Sequence, residues 1–221
     1  MEKEYRLGIF FKDFYITNIN KLLDDLIDNF PMYDGSTTTL PIPDDVQNRD
    51  IPRIILKSQD SQLECQISFS KVVFVWRSKE ESLDIHSLID DYIVKLQNTL
   101  LGEYKVVRLG FATVNFEMFK NQSIPRILSA GTSNLVEYST VVVYKGALKD
   151  STPVNKRFDF IKGNSPEGKK VLVSQSDIGT LEATELDKNL SEINIIVREM
   201  SALGDESVIN EVKNGKSPKE A

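Results

Sequence analysis

Cysteine is nearly absent from this 221-residue chain: Cys65 stands alone, which excludes an internal disulfide framework and makes a reducing compartment the expected home. Histidine is as scarce. His86 is the only one, so neither a multi-histidine metal centre nor a Ser-His-Asp machine with a spare base is available. No apolar run approaches the roughly 20 residues that cross a bilayer. Met1-Glu2-Lys3-Glu4-Tyr5 lacks the basic stretch and apolar stretch of a secretory leader. The expectation is a cytoplasmic protein with no membrane partner. Excess positive charge is missing too, since the formal net charge is −6. That argues against a general nucleic-acid coat and leaves room only for a local basic patch.

What is present is an ordinary globular mixture, 40% hydrophobic and 27% charged. Three segments carry apolar residues at helical spacing. The first runs from Ile19 through Leu22, Leu23, Leu26 and Ile27 to Phe30, after the cap candidates Thr17 and Asn18. The second runs from Ile85 through Leu88, Ile89, Tyr92, Ile93 and Leu96 to Leu100, with Gly102 placed to end it. The third carries Leu186, Leu190, Ile193, Val197 and Met200, with Thr184 and Asp187 spaced like a capping box.

Strand patterns fill the rest. Leu63, Cys65, Ile67 and Phe69 alternate with polar residues, and Val72, Phe74 and Trp76 continue beyond a turn near Ser70-Lys71. Ile54–Lys57 reads as the strand before them. Further strands are expected at Tyr5–Phe11, Lys105–Phe116, Glu137–Tyr144, Lys156–Ile161 and Lys170–Gln175. The fold class is therefore α+β: mostly antiparallel sheet with three main helices packed on it. Two three-strand meanders, each followed by a helix, suggest a degenerate duplication. One α+β domain is expected over residues 1–203, readable as packed halves at about 1–102 and 103–203, with a short helical turn and frayed tail over 204–221. Pro31 to Pro52 and Lys120 to Asn134 are long connections.

Several motifs look chemical and dissolve in context. Gly163-Asn-Ser-Pro-Glu-Gly168-Lys169-Lys170 has phosphate-loop spacing, but Lys170 stands where Ser or Thr would hold magnesium. A strand pattern also follows where that loop needs a helix, so it reads as a hairpin turn. Gly215-Lys216-Ser217 lacks the earlier glycine. Asp44 with Glu64 resembles the acidic pair of a metal-dependent nuclease, although Gln66 replaces the customary lysine. Cys65, on the inward side of its strand, reads as a small buried hydrophobe. The pairs Asp24-Asp25 and Asp90-Asp91 fall on helices, where adjacent residues diverge. No catalytic residue, metal site or cofactor is assigned.

Charge is uneven along the chain. Between Lys120 and Gln175 nine basic residues stand against four acids, Glu137, Asp150, Asp159 and Glu167. Lys156, Arg157, Lys162, Lys169 and Lys170 are the expected contributors to a partner-binding surface that would steer an acidic partner. The competing reading makes these residues guards of strand edges and turn ends.

Pro52-Arg53-Ile54-Ile55-Leu56-Lys57-Ser58, Leu63–Phe69 and Phe74-Val75-Trp76-Arg77 resemble a sporadically distributed family of uncharacterised prokaryotic proteins, over roughly residues 5–116. Val107-Arg108-Leu109-Gly110 to Asn115 resembles the family's later strand, with Asn115 matching a recurrent asparagine, while Ala112-Thr113-Val114 departs from its usual Arg-Tyr. The resemblance implies a bacterial, archaeal or phage setting and an accessory gene of the defence or mobile-element kind. It brings no activity.

The function expected is that of a non-enzymatic, macromolecule-binding accessory protein. A protein partner comes first, with nucleic acid served by the local basic patch. A metal-dependent phosphodiesterase and a self-assembling scaffold, hence a homo-oligomer, are the alternatives.

Overall fold

The computed structural model describes residues 2–12, 19–43, 48–78, 84–96, 99, 104–118, 138–164, 168–181 and 190–217. The chain runs Glu2–Phe11 (β1), Ile19–Asn29 (α1), Thr37–Thr39 (β2), Ile54–Lys57 (β3), Leu63–Ile67 (β4), Lys71–Ser78 (β5) and Ile85–Leu96 (α2). It continues with Val106–Met118 (β6), Tyr138–Ala147 (β7), Pro153–Asn164 (β8), Lys170–Thr180 (β9), Leu190–Leu203 (α3) and Glu206–Lys213 (α4). All nine strands join one sheet in the order β2-β3-β4-β5-β1-β6-β9-β8-β7, and every pairing is antiparallel.

Period-2 alternation gives this sheet two unlike faces. Leu7, Ile9, Phe74, Trp76, Cys65, Phe111, Phe158 and Ile178 point one way and are fully buried. They meet Leu26 of α1 and Phe30 just after it, Ile89 and Tyr92 of α2, Val197 and Met200 of α3, and Ile209 and Val212 of α4 in one core. Aromatic packing is densest in the first half of the chain. Tyr92 stands edge-on to Phe74 and Trp76, with ring centroids 4.9 and 5.0 Å away. The Tyr33 hydroxyl donates to that of Tyr92 at 3.2 Å, which keeps two buried phenols partnered. Trp76 is thus enclosed between the sheet and α2, as its alternation with Val72 and Phe74 implies. No helix lies on the opposite face among the described residues, because the sheet residues that pack on the helices all share the first parity.

Four helices are present among the described residues where three main ones were expected. The short turn anticipated after residue 203 is the eight-residue helix α4, for three physical reasons. Asp205 caps it, its side chain accepting from the Glu206 N–H. Ile209 and Val212 bury at i, i+3 spacing. Ion pairs pin both ends, Lys3–Glu206 at 2.6 Å and Lys213–Glu117 at 3.3 Å. Strand β2, inside the long connection after Pro31, carries no apolar pattern and is placed by its pairing to β3. The later strands also run further than expected, β8 to Asn164 and β9 to Thr180. The cap candidates Thr17, Asn18, Gly102, Thr184 and Asp187, with Leu100, Leu186 and the connection at 120–134, lie outside the described residues.

From its centre outward, the sheet reads β1-β5-β4-β3 on one side and β6-β9-β8-β7 on the other. The two central strands meet at Gly8 opposite Gly110. Each of these glycines is preceded by the same two residues, Arg6-Leu7 and Arg108-Leu109.

Candidate functional site

Away from the helices, the open face gathers most of the sheet's charged residues. Its residues follow from register: Glu4, Arg6, Gly8 and Phe10 of β1 stand in line with Val114, Ala112, Gly110 and Arg108 of β6. From β6 the lines continue through Gln175, Asp177 and Gly179 of β9 to Asp159, Arg157 and Asn155 of β8.

One line, Gly8–Gly110–Gly179, has no side chains at all. Glycine weakens a strand unless something must approach the backbone closely. Here two side chains lie down in the gap. The Phe10 ring comes within 3.3 Å of where a Gly8 Cβ would stand, and an Arg108 guanidinium nitrogen within 3.6 Å of a Gly179 Cβ position. The Arg108 guanidinium also sits 4.9 Å from the centre of the Phe10 ring, a cation–π contact. The glycines therefore let Arg108 cross the sheet surface to reach β9.

Where it arrives there is a cavity of about 490 Å³ lined by Arg108, Asn155, Arg157, Asp177, Gly179 and Thr180, with Val143 and Leu181 as its apolar wall. Burial raises the Asp177 carboxyl above its usual range, against the opposing pull of Arg108 and Arg157. No hydrogen bond or ion pair closes on it among the described residues. Arg157 is held by Asp159, which accepts from its Nε at 3.0 Å. The arrangement presents two guanidinium groups and an amide around one carboxyl that burial disfavours in its charged form. Such a site is suited to an anionic group that displaces the competing carboxylate, or whose charge favours uptake of a solvent proton by Asp177.

The corresponding charges on β1, β4 and β5 are tied to one another. Arg77 donates to Glu4 at 2.8 Å and to Glu64 at 3.2 Å, Arg6 donates to Glu4 at 2.5 Å, and Gln66 donates to Glu64 at 2.5 Å. Burial pushes the Glu64 carboxyl up, but the Gln66 hydrogen bond, Arg77 and Lys57 outweigh it and hold the group below its usual range. Glu64 is thus enclosed by partners. Asp44, its companion in the nuclease reading, lies outside the described residues. Among the described residues no three His, Cys, Asp or Glu side chains cluster to hold a metal.

The five residues expected to form a basic surface divide between places. Arg157 is on the open face at the cavity. Lys156, one residue earlier, points to the helix side and is 4% exposed, and Lys162 shares that side. Lys169 and Lys170 are exposed at the far end of the β8–β9 hairpin, where Lys170 pairs with Asn164. Cys65 is fully buried, which raises its thiol well above the ordinary range, and His86 is exposed on α2. Arg108, Asp177 and the glycine line were not expected from the sequence. The repeated Arg-Leu-Gly at 6–8 and 108–110 is the signal that could have found them.

A second polar feature lies on the helix side. Asn115 and Ser174 are paired across β6 and β9 and fully or almost fully buried, yet the Asn115 amide and the Ser174 hydroxyl make no hydrogen bond among the described residues. Nearby, the Ser176 hydroxyl donates to the Gly204 carbonyl at 2.9 Å, tying the α3–α4 junction to the sheet. No protein-family model, curated protein or solved structure matches the chain.

Proposed function

We propose that the protein is a non-enzymatic binding protein that holds an acidic group of a macromolecular partner on the open face of its sheet. The observation that carries this reading is the delivery of Arg108 across the glycine line to a cavity shared with Arg157 and Asn155. A side-chain carboxylate of a partner protein is the group that two guanidinium forks accept most directly. Lys169 and Lys170, exposed at the far end of the hairpin, add positive charge that an extended acidic partner would meet beyond the cavity. The setting proposed is an accessory gene of a prokaryote or phage, and it rests on the resemblance over residues 5–116. The shared strand order of the two halves and the repeated Arg-Leu-Gly support reading them as a degenerate duplication.

The test is titration with polyglutamate at low and high salt. Binding should be present at low salt, weaken as salt rises, and fall at least tenfold in the double variant Arg157→Glu, Lys170→Glu, a loss of about 1.4 kcal/mol. Equal binding by the folded double variant would leave the edge-guarding account of these residues standing.

A further inference from the structure

The last strand of the sheet, β7, is an edge of ten residues, and none of its outward backbone groups has a hydrogen-bond partner among the described residues. Alternate residues of an antiparallel edge direct N–H and C=O outward, and such a row templates another strand unless it is blunted. The usual devices are missing. The strand has no proline, its pairing with β8 runs without a register shift, and Lys145 is its only charged residue. Its centre is Thr140-Val141-Val142-Val143-Tyr144, a run of β-branched and aromatic residues. Val141 and Val143 remain 48% and 57% exposed on the open face.

We infer that β7 pairs antiparallel with β7 of a second copy about a two-fold axis through Val142, joining two sheets into one. In this register Val141 of each copy stands opposite Val143 of the other, Thr140 opposite Tyr144, and Ser139 opposite Lys145. Each face continues into the same face of the copy, as the period of a strand demands. The lysine meets a serine hydroxyl. Moving the axis to Val143 would instead set Lys145 against Val141, pairing a charge with an apolar side chain. The strand is therefore complementary to itself in polarity, and its one charge meets a hydroxyl rather than its own copy, which selects a second copy over an unrelated strand. The opposite edge, β2, has three exposed threonines and is too short to propagate the array, so the assembly closes at two. The copy also adds to the cavity: its Val141 lands beside Val143 and lengthens the apolar wall.

Sedimentation velocity on the full chain tests this, with Trp76 emission confirming that each variant is folded. The wild-type mass should rise from 25.0 kDa toward twice that value by about 100 µM, which populates a dimer with a Kd of that order. The variants Val141→Lys, Val143→Lys and Val141→Glu, Val143→Glu should each stay monomeric, because like charges then oppose one another across the axis. Mixed in equal amounts, they should recover the dimer. A monomeric wild type overturns the inference, and this is the result expected if the edge is reserved for another chain. A dimer that survives the lysine substitutions, or folded variants that fail to recover it on mixing, overturns it as well. Polyglutamate binding is a separate readout, so failure of the acidic-partner reading leaves this result interpretable.

Discussion

Strands β1 and β6 lie side by side at the centre of the sheet, each carrying Arg-Leu-Gly where they cross, and the strands beyond them treat charge differently. On the β5 side, Arg77 is shared between Glu4 and Glu64, so acids and bases neutralise one another within the protein. On the β9 side, Arg108 leans outward over Gly179 to a cavity whose carboxyl, Asp177, has no closing partner among the described residues. The edges differ in the same sense. The first half ends in three threonines, the second in a ten-residue strand with an unblunted edge. A similar strand order thus yields one half whose open-face charges neutralise one another and another whose cavity carboxyl has no closing partner among the described residues.

The largest effect separating the halves should come from the core. Trp76 is fully buried against Phe74 and Tyr92, and Trp76→Ala should destabilise by about 3–5 kcal/mol in denaturant unfolding. The wild-type emission maximum should be that of an enclosed indole. Emission typical of indole in water would mean that the aromatic cluster is not closed.

Substitutions on the open face should then take opposite signs. Glu64→Gln weakens the contacts to Arg77 and Lys57 and should cost about 1–3 kcal/mol. Asp177→Asn removes a carboxyl that burial disfavours, and should stabilise at neutral pH. The pH dependences also oppose. Glu64, held below its usual range, contributes stability above the ordinary carboxyl range that is lost as pH falls through its depressed value. Asp177, held above it, contributes stability at low pH that is lost as pH rises through its raised value. Urea midpoints of the two variants across pH would show whether these slopes differ in sign, and parallel slopes would erase the electrostatic distinction.

The smallest effect concerns Ser174, whose buried hydroxyl makes no hydrogen bond among the described residues. Ser174→Ala should stabilise by about 1 kcal/mol, because an unsatisfied polar group leaves the core. A loss of stability would reveal a partner for that hydroxyl.

Much of this fold is legible in the sequence. The apolar spacing of α1 and α2 and the alternation of β4 and β5 give their positions closely, because a half-buried element repeats its burial with the backbone's own period. Strand β2 is illegible for the same reason: it is too short and too exposed to have a pattern. The site was harder to read. A count of basic residues adds Lys156 to Arg157, yet neighbours on a strand face opposite sides. Lys156, Phe158, Phe160 and Lys162 share one parity, and those phenylalanines are fully buried, so two lysines of the basic count belong to the helix side. Arg108 escaped notice because its placement depends on a glycine of the neighbouring strand far away in sequence, and only pairing register brings Gly8, Gly110 and Gly179 into line.

The most direct test of the contrast between halves is a backbone amide NMR titration of the whole chain with polyglutamate at low salt. Shifts should concentrate at Arg108, Asn155, Arg157, Asp177, Gly179 and Thr180, move with a common saturation curve, and spare Glu4, Glu64 and Arg77. Shifts centred on Glu4, Glu64 and Arg77, or no saturable shift at the cavity, would contradict the assignment of binding to the second half of the sheet.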